Sequence, residues 1–230
     1  MNRATLHYIF DPFCGWCYAA APLIEAASTI PELSISLHGG GMLSGSNRRL
    51  VSPSWRNHVI PHDRRIAALS GQIFGDAYFN QLLNDYTIVL DSSPPITAIL
   101  CAQAMQGLGL EMLHKIQSAY YQHGQKIAEP FVLLALAGKL GLDQVHFGQL
   151  FEQASLSTTS QHIAESQALL AQSGGSGFPC FILAIPGHPW QQLDVSPYLG
   201  KVQAWRDFVQ DQLAIVHRTN KTTLSGNLAS

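Results

Sequence analysis

The chain has 230 residues, 47% of them hydrophobic and only 12% charged, with a net charge of −2. The apolar share suits a chain that buries a core, and the length allows one large domain or one domain with a sizeable insertion. No basic run exceeds two residues and no apolar stretch reaches the ~20 residues of a membrane span, which excludes the polyanion-binding and membrane-spanning classes: no nucleic acid and no membrane is expected as a partner.

In chain order, Arg3 is followed by too few apolar residues for a signal peptide, so the chain reads as complete and cytoplasmic. Leu6 to Phe10 has the character of a buried strand, and Cys14 to about Thr29 is Ala-rich and helical. Leu33, Ile35 and Leu37 alternate with Ser34, Ser36 and His38, the period of a half-buried strand. A loop opened by Gly39-Gly40-Gly41 leads into a long helical section. Helices are expected near 54–69, 76–84, 96–106, 111–122, 130–140, 145–154 and 160–172, with Gly107, Gly109 and Gly141 as stops and Asp143 as a cap. Strand character returns from Cys180 to Ile185. Pro186-Gly-His-Pro189 is a turn, and Trp190 to Leu193 a second strand. A last helix begins at Pro197 and runs to about Leu213. The tail, 214–230, becomes polar without a period and is expected to be flexible. The pattern is βαβ, a helical block, then ββα. It predicts an α/β domain assembled from 1–45 and 174–213, interrupted by an all-helical insertion over 46–173.

The stretch Asp11-Pro-Phe-Cys-Gly-Trp-Cys-Tyr18 holds two of the four cysteines, three apart, at the first strand-to-helix junction. Unpaired N–H groups at a helix start favour an anion there, and the thiolate is the reactive form of cysteine. Cys14 is therefore expected to attack from an exposed helix start, and Cys17, one turn on and facing inward, to resolve. A structural zinc site needs four ligands. Cys101 and Cys180 stand alone in apolar surroundings, where a free cysteine behaves as a small hydrophobe. His58 and His62 are four apart, but Pro61 between them argues against an uninterrupted helical pair. No metal and no cofactor is expected.

With these residues the chain resembles thiol oxidoreductases of the DsbA family, and within it the cytoplasmic FrnE-like branch, whose motif is similar to Asp11–Tyr18. Pro22, five residues after Cys17, matches the proline that kinks the active-site helix of thioredoxin-like proteins, and Gly177-Phe178-Pro179 resembles the family's cis-proline loop. The segments Ala119 to Ile127, Val132 to Ala135 and Gly141-Leu-Asp143 resemble its helical insert. The resemblance implies a thioredoxin-like fold and thiol–disulfide exchange on protein or peptide substrates, with glutathione as a further thiol partner. It implies a cis Pro179 beside the catalytic Cys14 and Cys17, redox tuning by Gly15 and Trp16, and a substrate-binding rim of Phe13, Trp16, Tyr18 and Phe178. The chain departs from the pattern at two places. Tyr8 stands where many relatives carry a buried acid six residues before the first cysteine, with His7 or Asp11 as substitutes, and Cys180 follows the loop proline. Two other functions fit the same fold. One is glutathione-dependent transfer or isomerisation of small molecules, although the kappa-class transferases and hydroxychromene carboxylate isomerases carry Ser at the first cysteine. The other is a chaperone whose dithiol is only a redox switch.

Overall fold

The computed structural model describes residues 3–226, with side chains through Ala214. β1 (Ala4–Phe10) and β2 (Leu33–Gly39) run parallel, Ala4 opposite Leu33 and Phe10 opposite Gly39. A parallel pair needs a crossover, which α1 (Gly15–Ala19) and α2 (Ala21–Ser28) supply. Pro22 separates these helices: its ring crowds the Tyr18 carbonyl, and it settles in the first turn of α2, where no N–H is required. Among the described residues the main sheet has the order β2-β1-β5-β6, with β5 (Cys180–Ala184) antiparallel to β1 and β6 (Gln191–Leu193) antiparallel to β5. The first and last β segments thus share one sheet, the thioredoxin-like arrangement expected.

Alternation along the strands sorts the side chains between two faces. Leu6, Tyr8, Phe181 and Leu183 enter the main core, where Phe181 meets Trp205 of α9 (Val202–Gly226), ring centroids 5.5 Å apart. Ile9, Cys180 and Ile182 face the other way, onto Leu169 and Leu170 of α8 (Thr158–Gln172).

The segment between β2 and β5 carries α3 (Pro53–Ser70), α4 (Ser93–Gln106), α5 (Gly109–Tyr121), α6 (Pro130–Lys139), α7 (Gln144–Leu156) and α8. Ser52 Oγ accepts from Trp55 N to cap α3, and the Asp143 carboxylate accepts from His146 N to cap α7. Gly71 and Gly107, at φ 74° and 72°, close α3 and α4 in the left-handed conformation that a side chain would strain.

Four local expectations are corrected. Residues 76–84 form a π-turn, Ala77–Gln81, and a 3₁₀ turn, Leu82–Asn84, rather than an α-helix. The insertion also holds a two-stranded ladder, β3 (Arg49–Leu50) against β4 (Val89–Leu90), each strand too short for alternation to show. α3 runs through Pro61 without a break. Pro61 and Asn57, whose carbonyl loses its donor, are both exposed to solvent, and the rings of His58 and His62 come within 4.9 Å. Finally, the tail from 214 on is helical as far as Gly226, because no Pro or Gly interrupts Val202 to Ser225; residues 227–230 lie outside the described ones.

Candidate active site

β1, paired on both sides, ends at Phe10 and delivers the dithiol to the C-terminal end of a central strand. The chain turns at once, Cys14 N donating to Asp11 O at 3.1 Å, and Cys14 becomes the N-cap of α1. Its Sγ accepts from Cys17 N at 3.3 Å, the bond a serine or aspartate oxygen makes at other helix starts. Its thiol also donates to Phe178 O at 3.5 Å. The Phe178–Pro179 peptide is cis, and the thiol bond to Phe178 O places the loop before β5 over the dithiol although 164 residues separate Cys14 from Phe178. Cys14 was expected at an exposed helix start; it is only 7% exposed, because this loop and α3 cover it. Cys17 is fully buried, and burial pushes its thiol well up.

The buried acid is Asp11. Its carboxylate is fully buried and accepts from Phe13 N (2.9 Å), Met42 N (2.6 Å) and Ser92 Oγ (3.0 Å). Burial still pushes it up to about 6 against those three donors, and its charge acts directly on Cys17. Tyr8, in the position of the family's acid, donates its phenol to Cys17 O at 3.1 Å and so props α1. His7 is not the substitute: it points to the far face, where its Nδ1 lies 2.9 Å from Nε2 of His38.

Two recesses flank the dithiol, and Trp16 lines both. One is an open groove of 740 Å³ bounded by Trp16, Arg65, Phe178, Pro179 and Val195. Arg65 holds its guanidinium 5.9 Å from the Trp16 ring, and the Phe178 ring occupies the space a side chain on Gly40 would need. The other, just as open but smaller, is a cavity of 350 Å³ lined by Cys14 itself, with Phe13, Trp55, His58, Asp63 and Tyr121 among its walls. Gly15 has no room for a side chain, since a Cβ there would lie 2.8 Å from Asp63 Oδ1 and 2.9 Å from Ile66 Cδ1.

The structure therefore brings Cys14, Gly15, Cys17, Phe13, Trp16, Phe178 and Pro179 together. It does not bring Tyr18 to the rim. Tyr18 is buried, stacked on Tyr121 at 4.7 Å, donating to Ile73 O and accepting from Gln122 Nε2. Cys101 and Cys180 are buried free thiols, and desolvation raises both, Cys101 to about 11. Among the described residues no group of three His, Cys, Asp or Glu could hold a metal ion.

Sequence reasoning missed Asp63, Arg49, Trp55 and Tyr121 of the cavity. Only Asp63 left a trace. Trp55, Val59 and Ile66 mark the inward stripe of α3, and Asp63 falls in the same stripe, a carboxylate where the helix period calls for an apolar residue.

No curated protein sequence matches the chain. Among solved structures, the cytosolic disulfide reductase DsbM from Pseudomonas aeruginosa is similar at 45% identity and a TM-score of 0.86, covering 92% of this chain and 99% of that one. The same reductase with GSH aligns at 44% identity and 0.84, covering 91% and 99%. Pseudomonas aeruginosa DsbA shares the fold at 12% identity and 0.54, covering 96% and 86%. The family model described as DSBA-like thioredoxin domain matches residues 5–194, from β1 through β6 and across the whole helical insertion. The chain belongs to the DSBA-like thioredoxin domain family.

Proposed function

We propose that the chain is a protein thiol–disulfide oxidoreductase working in the cytoplasm as a disulfide reductase, with glutathione restoring its dithiol. The observation that carries the reading is the layering at the α1 start: Cys14 Sγ lies between the Cys17 N–H and the Phe178 carbonyl, with Cys17 buried behind it. The similarity to a cytosolic reductase supports the direction and the compartment, and the relative with GSH supports the thiol partner.

Cys14 thiolate attacks one sulfur of a substrate disulfide, and the leaving sulfur departs as a thiolate that takes a proton. Cys17 then attacks Cys14 Sγ, its proton passing to Asp11, and the second substrate thiol is released. Two glutathione thiols reduce the resulting protein disulfide and leave as glutathione disulfide, so electrons and protons balance. Before the first attack, the thiol bond to Phe178 O gives way, and that carbonyl is free to accept from the backbone N–H of an extended substrate strand. Trp16, Phe178 and Pro179 supply the apolar wall of the groove for that strand. Cys17→Ser should leave a stable mixed disulfide between Cys14 and a disulfide-bonded peptide, visible by intact mass; release at the wild-type rate would refute the assignment of the resolving thiol.

A further inference from the structure

The exchange scheme leaves one proton unassigned. An incoming glutathione arrives as a thiol and must lose its proton to attack, and Asp11 is fully buried, lines neither recess and already holds the proton it took from Cys17. Cys14 lines the 350 Å³ cavity and does not line the open groove. Asp63 turns into this cavity from α3, 4% exposed. Its Oδ2 accepts from Tyr78 Oη at 2.7 Å, and its Oδ1 points at Gly15, next to the attacking cysteine. Tyr121 Oη, buried in the same wall, has no hydrogen-bond partner among the described residues. A carboxyl oxygen and an unpaired phenol thus converge with Cys14 on one small recess.

We propose that Asp63 is the proton acceptor for a small thiol that enters this cavity to reduce the Cys14–Cys17 disulfide. The assignment rests on the dithiol-exchange reading above. The thiol R–SH gives its proton to the Asp63 carboxylate. The thiolate attacks Cys14 Sγ, the Cys14–Cys17 bond breaks, and its electron pair goes to Cys17, which takes a proton from Asp11. Tyr121 Oη donates to the entering molecule. Asp63 gives up its proton to solvent and takes that of a second thiol, whose thiolate attacks the outer sulfur of the mixed disulfide; R–S–S–R leaves and Cys14 remains as the thiolate. An ordinary carboxylate is a weak base for a thiol, but burial lifts Asp63 to about 7 and narrows the gap. The titratable and charged groups facing Asp63 are Cys14 from α1, Arg49 from β3, His58 and His62 from α3, Tyr78 from the π-turn, and Tyr120 and Tyr121 from α5. The open groove remains for the protein substrate, so the two half-reactions use different sides of Trp16.

The test is the rate at which the oxidised full-length chain is reduced, followed by stopped-flow tryptophan fluorescence from pH 5.5 to 8.5. Two reductants are compared: 2-mercaptoethanol, which must lose an S–H proton, and tris(2-carboxyethyl)phosphine, which has none to lose. Asp63→Asn should slow the thiol about 100-fold at neutral pH, flatten the rise of rate through the carboxyl titration, and leave the phosphine rate undiminished. Tyr78→Phe keeps the carboxyl but removes a donor that favours its ionised form, so it should move the inflection to higher pH. Equal slowing by both reductants would mark Asp63 as merely structural, and an unchanged thiol rate would remove it from the reaction; either overturns the proposal, as does an unmoved inflection in Tyr78→Phe. A wild-type chain that forms no Cys14–Cys17 disulfide fails earlier and overturns the exchange reading itself.

Discussion

At the scale of single residues, the two cysteines differ in what lies behind them. Cys14 borders a cavity and Cys17 borders only protein, so Cys14→Ser should abolish exchange while Cys17→Ser stops it half-way, as mass spectrometry of each variant with a disulfide-bonded peptide will show. Gly15 is as constrained as its neighbours are reactive. Gly15→Ala drives a methyl to within 2.8 Å of Asp63 Oδ1 and 2.9 Å of Ile66 Cδ1, so these two buried side chains of α3 must shift. The expected cost is roughly 1–3 kcal/mol of stability, read as a lower urea midpoint with an unchanged slope. The residue between the cysteines is therefore set by a helix some fifty positions later, which no reading of the motif alone can reveal. Cys14, Cys17 and Trp16 were legible because their spacing is local, and Pro179 only because its Gly177-Phe178-Pro179 loop resembles that of the family. Asp11 was legible only as one of two candidates: His7 and Asp11 both lie within three residues of Tyr8, and it took the strand's alternation to turn His7 to the other face.

At the scale of elements, α9 is held to the core by Trp205, Val209 and Leu213, of which Trp205 is the largest. Trp205 is fully buried, its Nε1 donates to Leu23 O at 3.0 Å, and its ring meets Phe181 and Tyr198. Trp205→Ala should cost about 3–5 kcal/mol, and Trp205→Phe, which loses mainly the hydrogen bond, about 1–2 kcal/mol, both measured by chemical denaturation. If the two variants are equally unstable, the ring packing contributes less than the bond. The long elements of this fold were written in the sequence by period and by caps: Asp143 starts α7, and Gly107 ends α4. What escaped has a physical reason in each case. A two-residue strand such as β3 has no period, and the π-turn at Ala77–Gln81 shares its composition with an ordinary helix. Pro61 misled because its effect depends on exposure, which is decided by where α3 is docked and not by the residues beside it.

At the scale of the whole molecule, two sets of buried titratable groups oppose each other. Burial raises Asp11 to about 6 and Asp63 to about 7 from the ordinary 3.8, so the folded state holds extra protons and their contribution to stability falls as pH rises from about 4 through 6–7. Burial lowers His7, His162 and His38, the last to about 4 from 6.5, so the unfolded chain binds the extra protons and their contribution rises with pH over about 4–6.5. The windows overlap and the slopes have opposite sign. Relative to wild type, His38→Gln should tilt the stability curve between pH 4 and 7 towards a fall with pH, and Asp63→Asn should tilt it towards a rise, measured by denaturation at fixed ionic strength. Tilts in the same direction would mean that one set is not linked to folding. None of this balance was legible in the sequence, since it depends on which of ten histidines and fifteen acids the fold encloses.

The distance along the chain between Cys14 and the carbonyl that clamps it also orders events in time. Phe178 is 164 residues further on. At roughly 5–20 residues per second, synthesis brings the dithiol out on the order of 10–30 s before the strand that completes its surroundings. A half-made chain carries both sulfurs but neither the groove wall nor the loop that presents a substrate strand to them. The protein cannot edit the disulfides of others until its own proline loop and β5 have been translated.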